Sequence, residues 1–272
     1  MKLKDLLERV PENLGKEARI ILAHLLKIKP AEVLLKEESE VSSDLEREFH
    51  RLIEKRKKGI PTAYIIGEWD FMGRSFAVRE GILIPRPETE LLVEKVLTLI
   101  NPDSYMKGLE IGTGTGAISI SLLAERNHLL MTATDTNPEA IRLAEKNALH
   151  HGVASRLKLL RGEDFKPAGD KVFDFIVSNP PYIPERFWKH LPTEVKMEGY
   201  NSLIGGEKGY EFYERISSQL IKHLKKGGFV AFEIGHDQGR IVEELLLRAG
   251  LTEVKIYKDY AGQDRIAIGW NY

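Results

Sequence analysis

The chain has 272 residues, 42% of them apolar, with 40 Lys and Arg against 41 Asp and Glu and no cysteine. That length buries roughly 70 to 75% of the unfolded chain's surface, enough for one large domain or a large and a small one. The missing cysteine excludes thiol nucleophiles, disulfides and Cys-type zinc sites, and the formal net charge of −1 lacks the positive field expected of a protein that holds nucleic acid mainly by its phosphates.

The opening segment Met1-Lys2-Leu3-Lys4-Asp5-Leu6 meets an acidic residue too early for a signal peptide. No stretch nears the roughly 20 uncharged apolar residues a membrane span needs, so a cytoplasmic location is expected. The first sixty residues read as helices, with apolar stripes at Leu3, Leu6, Leu7 and Val10, at Ala18, Leu22, Leu25 and Leu26, and at Leu45, Phe49, Leu52 and Ile53. Ser43 with Glu46 gives a capping-box signature for the last of them, and Gly59 followed by Pro61 gives a stop. The basic run from Arg51 to Lys58 is the best candidate for a local nucleic-acid patch, against its simpler reading as the solvated end of that helix. Between Thr62 and Pro85 the runs Ala63-Tyr64-Ile65-Ile66, Ser75-Phe76-Ala77-Val78 and Ile82-Leu83-Ile84 are β-type and separated by glycines, which predicts a connecting hairpin. Pro87 then opens a helix with Leu92, Val93, Val96, Leu97 and Ile100 on one face.

Beyond Asn101-Pro102 strand and helix alternate. Strands are expected near 107–111, 129–134, 157–161, 173–177, 229–234, 253–258 and 264–270, with helices near 115–126, 138–150, 207–225 and 237–249. Such alternation predicts an α/β fold, a doubly wound, mostly parallel sheet covered on both faces. The last two strands are joined by six residues, Asp259 to Asp264, too few for a parallel crossover, so they should form an antiparallel edge hairpin.

Two loops carry chemistry. Gly112-Thr113-Gly114-Thr115-Gly116 ends the first parallel strand, where glycines permit positive φ and a close ligand approach. Alone it fits S-adenosylmethionine, a dinucleotide (Gly112, Gly114 and Ala117 match G-x-G-x-x-A) or a purely structural turn. Asp135 ends the second strand, where a carboxylate can accept both ribose hydroxyls. Asn137 before Pro138 already supplies the helix cap, which leaves Asp135 for a ligand. Asp164, after the third strand, is placed for an adenine amino group or for a solvated turn. The second loop, Asn179-Pro180-Pro181-Tyr182, ends the fourth strand across the strand-order switch from the first. An amide or exocyclic amino nitrogen is a poor nucleophile because its lone pair is delocalised. Acceptors at its two hydrogens, the Asn179 side-chain oxygen and the Pro180 carbonyl, would turn that lone pair towards a methyl donor and stabilise the charge that develops. Each proline holds its predecessor extended, and Tyr182 offers a face for stacking.

With these motifs the chain resembles the HemK/PrmC family, methyltransferases of the glutamine in the Gly-Gly-Gln motif of class I peptide-chain release factors. The resemblance covers nearly the whole chain and includes the helical N-terminal module, Ile84-Pro85-Arg86-Pro87-Glu88-Thr89-Glu90, the glycine loop, Ser178 to Ile183, Gly205-Gly206-Glu207-Lys208-Gly209, and Glu233-Ile234-Gly235 with Gln238. It implies a Rossmann-like class I methyltransferase with a seven-stranded, mostly parallel sheet, preceded by a small helical bundle and a β-hairpin. The domains would be 1–60 for substrate recognition, 61–85 as linker and 86–272 for catalysis. It further implies S-adenosylmethionine at Gly112, Thr113, Gly114, Thr115, Gly116, Asp135 and Asn179, with a weaker carry-over to Asp164, and a glutamine amide at Asn179, Pro180, Pro181 and Tyr182. No metal is expected, and the partner would be a release factor rather than a membrane or nucleic acid. Glu198-Gly199 and Ser202-Leu203 depart from the Glu-Pro and Ala-Leu of many members. Rival readings are an amino-methyltransferase of adenine or guanine, a methyltransferase of a ribosomal-protein glutamine, and a nicotinamide oxidoreductase, which would leave Asn179 to Tyr182 without a role.

Overall fold

The apolar stripes of the first sixty residues become four helices in a computed structural model that describes residues 1–272: α1 (Leu3–Glu8), α2 (Gly15–Leu26), α3 (Glu32–Leu35) and α4 (Ser43–Lys57). They bury Leu3, Leu6, Ile21, Leu22, Phe49 and Ile53 against one another. The cap of α4 lies one residue earlier than the capping-box spacing suggested. Ser42 Oγ accepts from Leu45 N at 3.2 Å, so Ser43 is the first helical residue and the Ser43–Glu46 box does not form. Thr62–Ile66, expected as a strand, is a fifth helix, α5. Its isoleucines cover the module's core, and Gly67 at φ 81° ends it in the left-handed region. A five-residue apolar run has no period of its own, and packing decided its conformation.

The chain divides into two units, Met1–Glu68 with Pro192–Met197, and Trp69–Leu191 with Glu198–Tyr272. Within the first, Arg56 pairs with Glu17 at 3.2 Å and with Glu194 at 2.6 Å, which ties the distant short segment to α4.

In the second unit the hairpin is β1 (Glu68–Phe71) and β2 (Arg74–Ala77), shorter than the predicted 61–85 linker. Ile82-Leu83-Ile84, expected as a strand, belongs to no sheet; the Ile84 N–H donates to the Glu198 carboxylate at 3.2 Å in place of a ladder partner. The segment leads into α6 (Pro87–Leu99). There follow β3 (Met106–Ile111), α7 (Ala117–Glu125), β4 (Leu129–Asp135), α8 (Pro138–His150), β5 (Leu157–Arg161), β6 (Phe173–Ser178), β7 (Leu224–Glu233), β8 (Thr252–Lys258) and β9 (Asp264–Asn271). The order is β5-β4-β3-β6-β7-β9-β8, parallel except for β9, which runs antiparallel to both β7 and β8. β3 therefore has β4 on one side and β6 on the other, and this is the switch point at which the two predicted loops emerge.

Period-two alternation builds the two cores. Met131, Phe175, Val177, Phe229 and Ile268 face α6 and α7, while Leu109, Ile111, Ile176, Val230 and Phe232 face the helices Glu211–Ser217 and Gly239–Arg248. The single helix expected over 207–225 is two short ones, Glu211–Ser217 and Leu220–His223, and β7 starts at Leu224, earlier than expected. Leu224 already pairs with Phe173, and its carbonyl accepts from Asn271 Nδ2 at 2.7 Å, so the strand captures residues that a local pattern assigns to the helix. No helix is long and apolar enough to cross a membrane.

Candidate active site

A cavity of about 760 Å³ opens at the C-terminal ends of β3, β4 and β6, within the size range of small-molecule sites. Its floor is the glycine loop. Gly112, Gly114 and Gly116 have φ of 75°, 55° and 83°, and Gly112 would carry a Cβ into open space. At these angles any other residue is strained, which accounts for the glycine spacing.

The hydrogen bonds of this loop decide what it can hold. The N–H groups of Gly112 and Thr113 donate to Thr134 O at 2.9 and 3.0 Å, that of Gly116 to Thr113 O at 2.8 Å, and that of Gly114 to Asp135 Oδ2 at 2.9 Å. A phosphate would need such donors free. The third N–H of α7 is also taken: the Glu110 carboxylate accepts from Ser119 N at 3.2 Å, from Ser119 Oγ, and from Thr113 Oγ1 at 2.8 Å. Glu110 is fully buried, and desolvation pushes its carboxyl up to about 7. Burial likewise raises Asp135, whose Oδ1 accepts from Asn137 N at 2.8 Å. Two carboxylates on the wall suit a cationic ligand, so the residues fit S-adenosylmethionine.

Each cofactor residue named from the sequence lines this cavity except Gly116, which turns the chain into α7. Asp164 does so with φ 52°, but its carboxylate is engaged in a fork with Arg215, Nε to Oδ2 at 2.5 Å and Nη2 to Oδ1 at 3.0 Å. Asn137 caps α8 as expected, accepting from Glu139 N at 2.9 Å.

Of the four residues of the second loop, Asn179 and Pro181 line the cavity, Pro180 is buried beside them, and Tyr182 is half-buried against the neighbouring core. Ser178 Oγ donates to Ile111 O at 2.6 Å and locks this loop to the end of β3. Asn179 Nδ2 donates to Thr89 Oγ1 at 2.9 Å, while its Oδ1 and the Pro180 carbonyl accept no hydrogen bond within the chain. Two acceptors on consecutive residues thus stay without a partner in the chain. Gln238 holds the loop from behind through Tyr182 O and Gly209 O, both at 3.0 Å, and Gly205 is required because a Cβ there would stand 2.4 Å from Pro181 O.

Several contributors escaped the reading of isolated motifs. Thr89 reaches Asn179 across 90 positions, and its own hydroxyl donates to Glu233 Oε2 at 2.6 Å across 144. Asn147 ties Thr115 O to β2. Glu198, just before the departure at Gly199, is buried and braces Ile84 N and Arg86 at the entry of Ile84 to Glu90 into the site. The signal for Thr89, Glu198 and Glu233 was present as residues beside or within quoted motifs, without anything to pair them.

Residues 3–67 match the family model described as the PrmC N-terminal domain, and residues 87–191 match the methyltransferase small domain. The chain is 53% identical to a release factor glutamine methyltransferase from Aquifex aeolicus, over 98% of this chain and 95% of that one. It is 36% identical to a protein of the same name from Clostridium acetobutylicum, over 98% of each. Among solved structures, a methyltransferase from Pyrococcus furiosus shares the fold, with a TM-score of 0.54 at 21% identity over 82% of this chain and 97% of that one. Similarity at this identity over nearly the whole of both chains means that the chain belongs to the release factor glutamine methyltransferase family.

Proposed function

We propose that this protein transfers a methyl group from S-adenosylmethionine to the side-chain amide nitrogen of the glutamine in the Gly-Gly-Gln motif of a class I release factor. The observation that carries this reading is a pair of unengaged acceptors on consecutive residues: Asn179 Oδ1, on a residue lining the cavity that also has the glycine loop, and Pro180 O, on the buried residue after it. Bound S-adenosylmethionine supplies an electrophilic methyl group on a sulfonium sulfur. The residues of this chain do the rest. The glycine loop and Asp135 hold the donor, and Asn179 Oδ1 and Pro180 O accept the two amide hydrogens. Pro180 and Pro181 keep those acceptors extended and in place before the substrate arrives. The donor held there would give its methyl to the amide nitrogen and leave as a thioether, and the surplus amide proton would pass to water. No side chain is needed as a strong base, because methylation raises the acidity of that nitrogen. The acceptors act by stabilising the positive charge on nitrogen in the transition state.

The N-terminal helical unit holds none of these groups. We assign it to recognition of the release factor away from the glutamine, since an exposed glutamine loop offers little of the roughly 1,200 Å² that a stable interface buries. A net charge of −1 weighs against a nucleic-acid base as the acceptor. The test is tandem mass spectrometry of a class I release factor incubated with this protein and donor, with single-stranded DNA and RNA as parallel substrates. The reading requires one added methyl on the motif glutamine. Methylation of nucleic acid alone would overturn it.

A further inference from the structure

Asn179 can serve as an acceptor only if its amide is turned the right way. The oxygen and nitrogen ends of an amide have nearly the same shape, and a half-turn would present two N–H donors to a substrate NH₂ that also donates. Something must hold the orientation. Thr89 Oγ1 has a single hydrogen, and that hydrogen goes to Glu233 Oε2 at 2.6 Å. An ionised carboxylate is acceptor-only, so the direction of this bond is fixed by Glu233. Thr89 then offers Asn179 only lone pairs, and Asn179 must answer with its NH₂ at 2.9 Å, leaving Oδ1 for the substrate. The other oxygen of the same carboxylate accepts from Tyr182 Oη at 3.4 Å, so one buried group reaches both ends of the catalytic loop.

From this chain of directed hydrogen bonds we propose that Glu233 is a positioning residue for methyl transfer, fixing the Asn179 amide through Thr89 and the Tyr182 ring directly. It touches neither donor nor substrate. Its place in the fold argues for this role over a structural one. The side chain is 1% exposed and has no direct ion pair, a costly state for a charge. The groups facing it are Glu88 and Thr89 from α6, Tyr182 from the loop, Tyr213 from the helix Glu211–Ser217, whose hydroxyl donates to the Glu233 carbonyl at 2.8 Å, and Arg265 from β9, which is paired with Asp259. Burial and the like charge of Glu88 push its carboxyl up to about 7, while Thr89, Arg265 and Tyr182 act the other way. Protonated, Glu233 can donate to Thr89, which frees the threonine hydrogen to face Asn179 and reverses the relay.

The inference rests on the proposed amide transfer, and its test is single-turnover methylation of intact release factor at saturating donor across the neutral range. Thr89→Val, Thr89→Ser and Glu233→Gln are compared with the wild type, with donor affinity measured by calorimetry and the fold checked by thermal melting. Thr89→Val should lower the rate constant about 10- to 100-fold while donor affinity and the half-saturating release factor concentration stay within about twofold of wild type, and Thr89→Ser should restore most of the rate. The wild-type rate should fall as pH drops through about 7 or somewhat below, and Glu233→Gln should lose that acid limb. A folded Thr89→Val with the wild-type rate, or a Glu233→Gln that keeps the acid limb, overturns the relay. Should Thr89→Val fail to fold, the isosteric Glu233→Gln decides alone. A wild-type protein that leaves the release factor unmethylated would instead sink the functional reading, so the two failures are told apart.

Discussion

Asn179 has two hydrogen-bonding ends, and within the chain only the nitrogen is engaged. Removing the side chain deletes one preorganised acceptor while leaving the donor cradle intact. Asn179→Ala should therefore lose about 10² to 10³ in single-turnover rate with little change in donor affinity, and a variant near the wild-type rate would sink the assigned mechanism. Asp135 lines the same cavity and is proposed to hold the donor. Asp135→Ala should weaken donor binding by about 1.5 to 3 kcal/mol in calorimetry, the range for hydrogen bonds to a charged group. Part of that loss comes from Gly114, whose N–H loses its acceptor. Unchanged affinity would place the donor ribose elsewhere. The position of both residues at the cavity was legible in the sequence because each ends a strand beside a recognisable turn. Thr89 and Glu233 were not, since a partner 144 positions away leaves no local trace.

At the scale of elements, the sequence was clear wherever one period ran long enough. The order of β3 to β6 with α7 and α8 and the antiparallel β8–β9 hairpin followed from alternation and a short connection. Short or composite stretches were misread for a physical reason: in Thr62–Ile66, Ile82–Ile84 and 207–225 the conformation is set by what each packs against or bonds to, and apolar runs this brief fit either period. The corrected reading of α5 is testable. Gly67 at φ 81° has nothing within 4 Å of where a Cβ would sit, so the only penalty for Gly67→Ala is the left-handed backbone. Equilibrium unfolding of that variant should show a loss of about 1 to 2 kcal/mol, whereas an extended Gly67 would tolerate alanine.

For the whole molecule, the division into a helical unit and a sheet-based unit separates recognition from chemistry in the proposed scheme. The pattern of the first sixty residues located the helical unit. It could not reveal that the unit extends through α5 or that Pro192–Met197 belongs to it, because the Arg56–Glu194 pair spans the sequence. Removing residues 1–67 should leave a sheet unit that still binds donor yet needs a higher release factor concentration for half-maximal rate. A short Gly-Gly-Gln peptide should be a poor substrate for both forms. Unchanged kinetics with intact factor would deny the unit its recognition role. Stability should carry the mark of Glu110. Its carboxyl stands at about 7 in the fold against 4.5 ordinarily, so the native state holds an extra proton between those values. The group's contribution is most favourable below the ordinary value and is lost as pH rises through about 7. Wild-type stability relative to Glu110→Gln in denaturant titrations should therefore rise by on the order of 2 to 3 kcal/mol between about pH 8 and about pH 5. A flat difference would mean that Glu110 titrates as an ordinary carboxylate.

The central claim is that the cavity methylates a glutamine amide. It is tested most directly by following labelled methyl from S-adenosylmethionine into an intact class I release factor and into the same factor with its motif glutamine replaced by glutamate. The account predicts one methyl per molecule on the first and none on the second, because a carboxylate has no hydrogens for Asn179 Oδ1 and Pro180 O to accept. Equal labelling of both, or of neither, would contradict it.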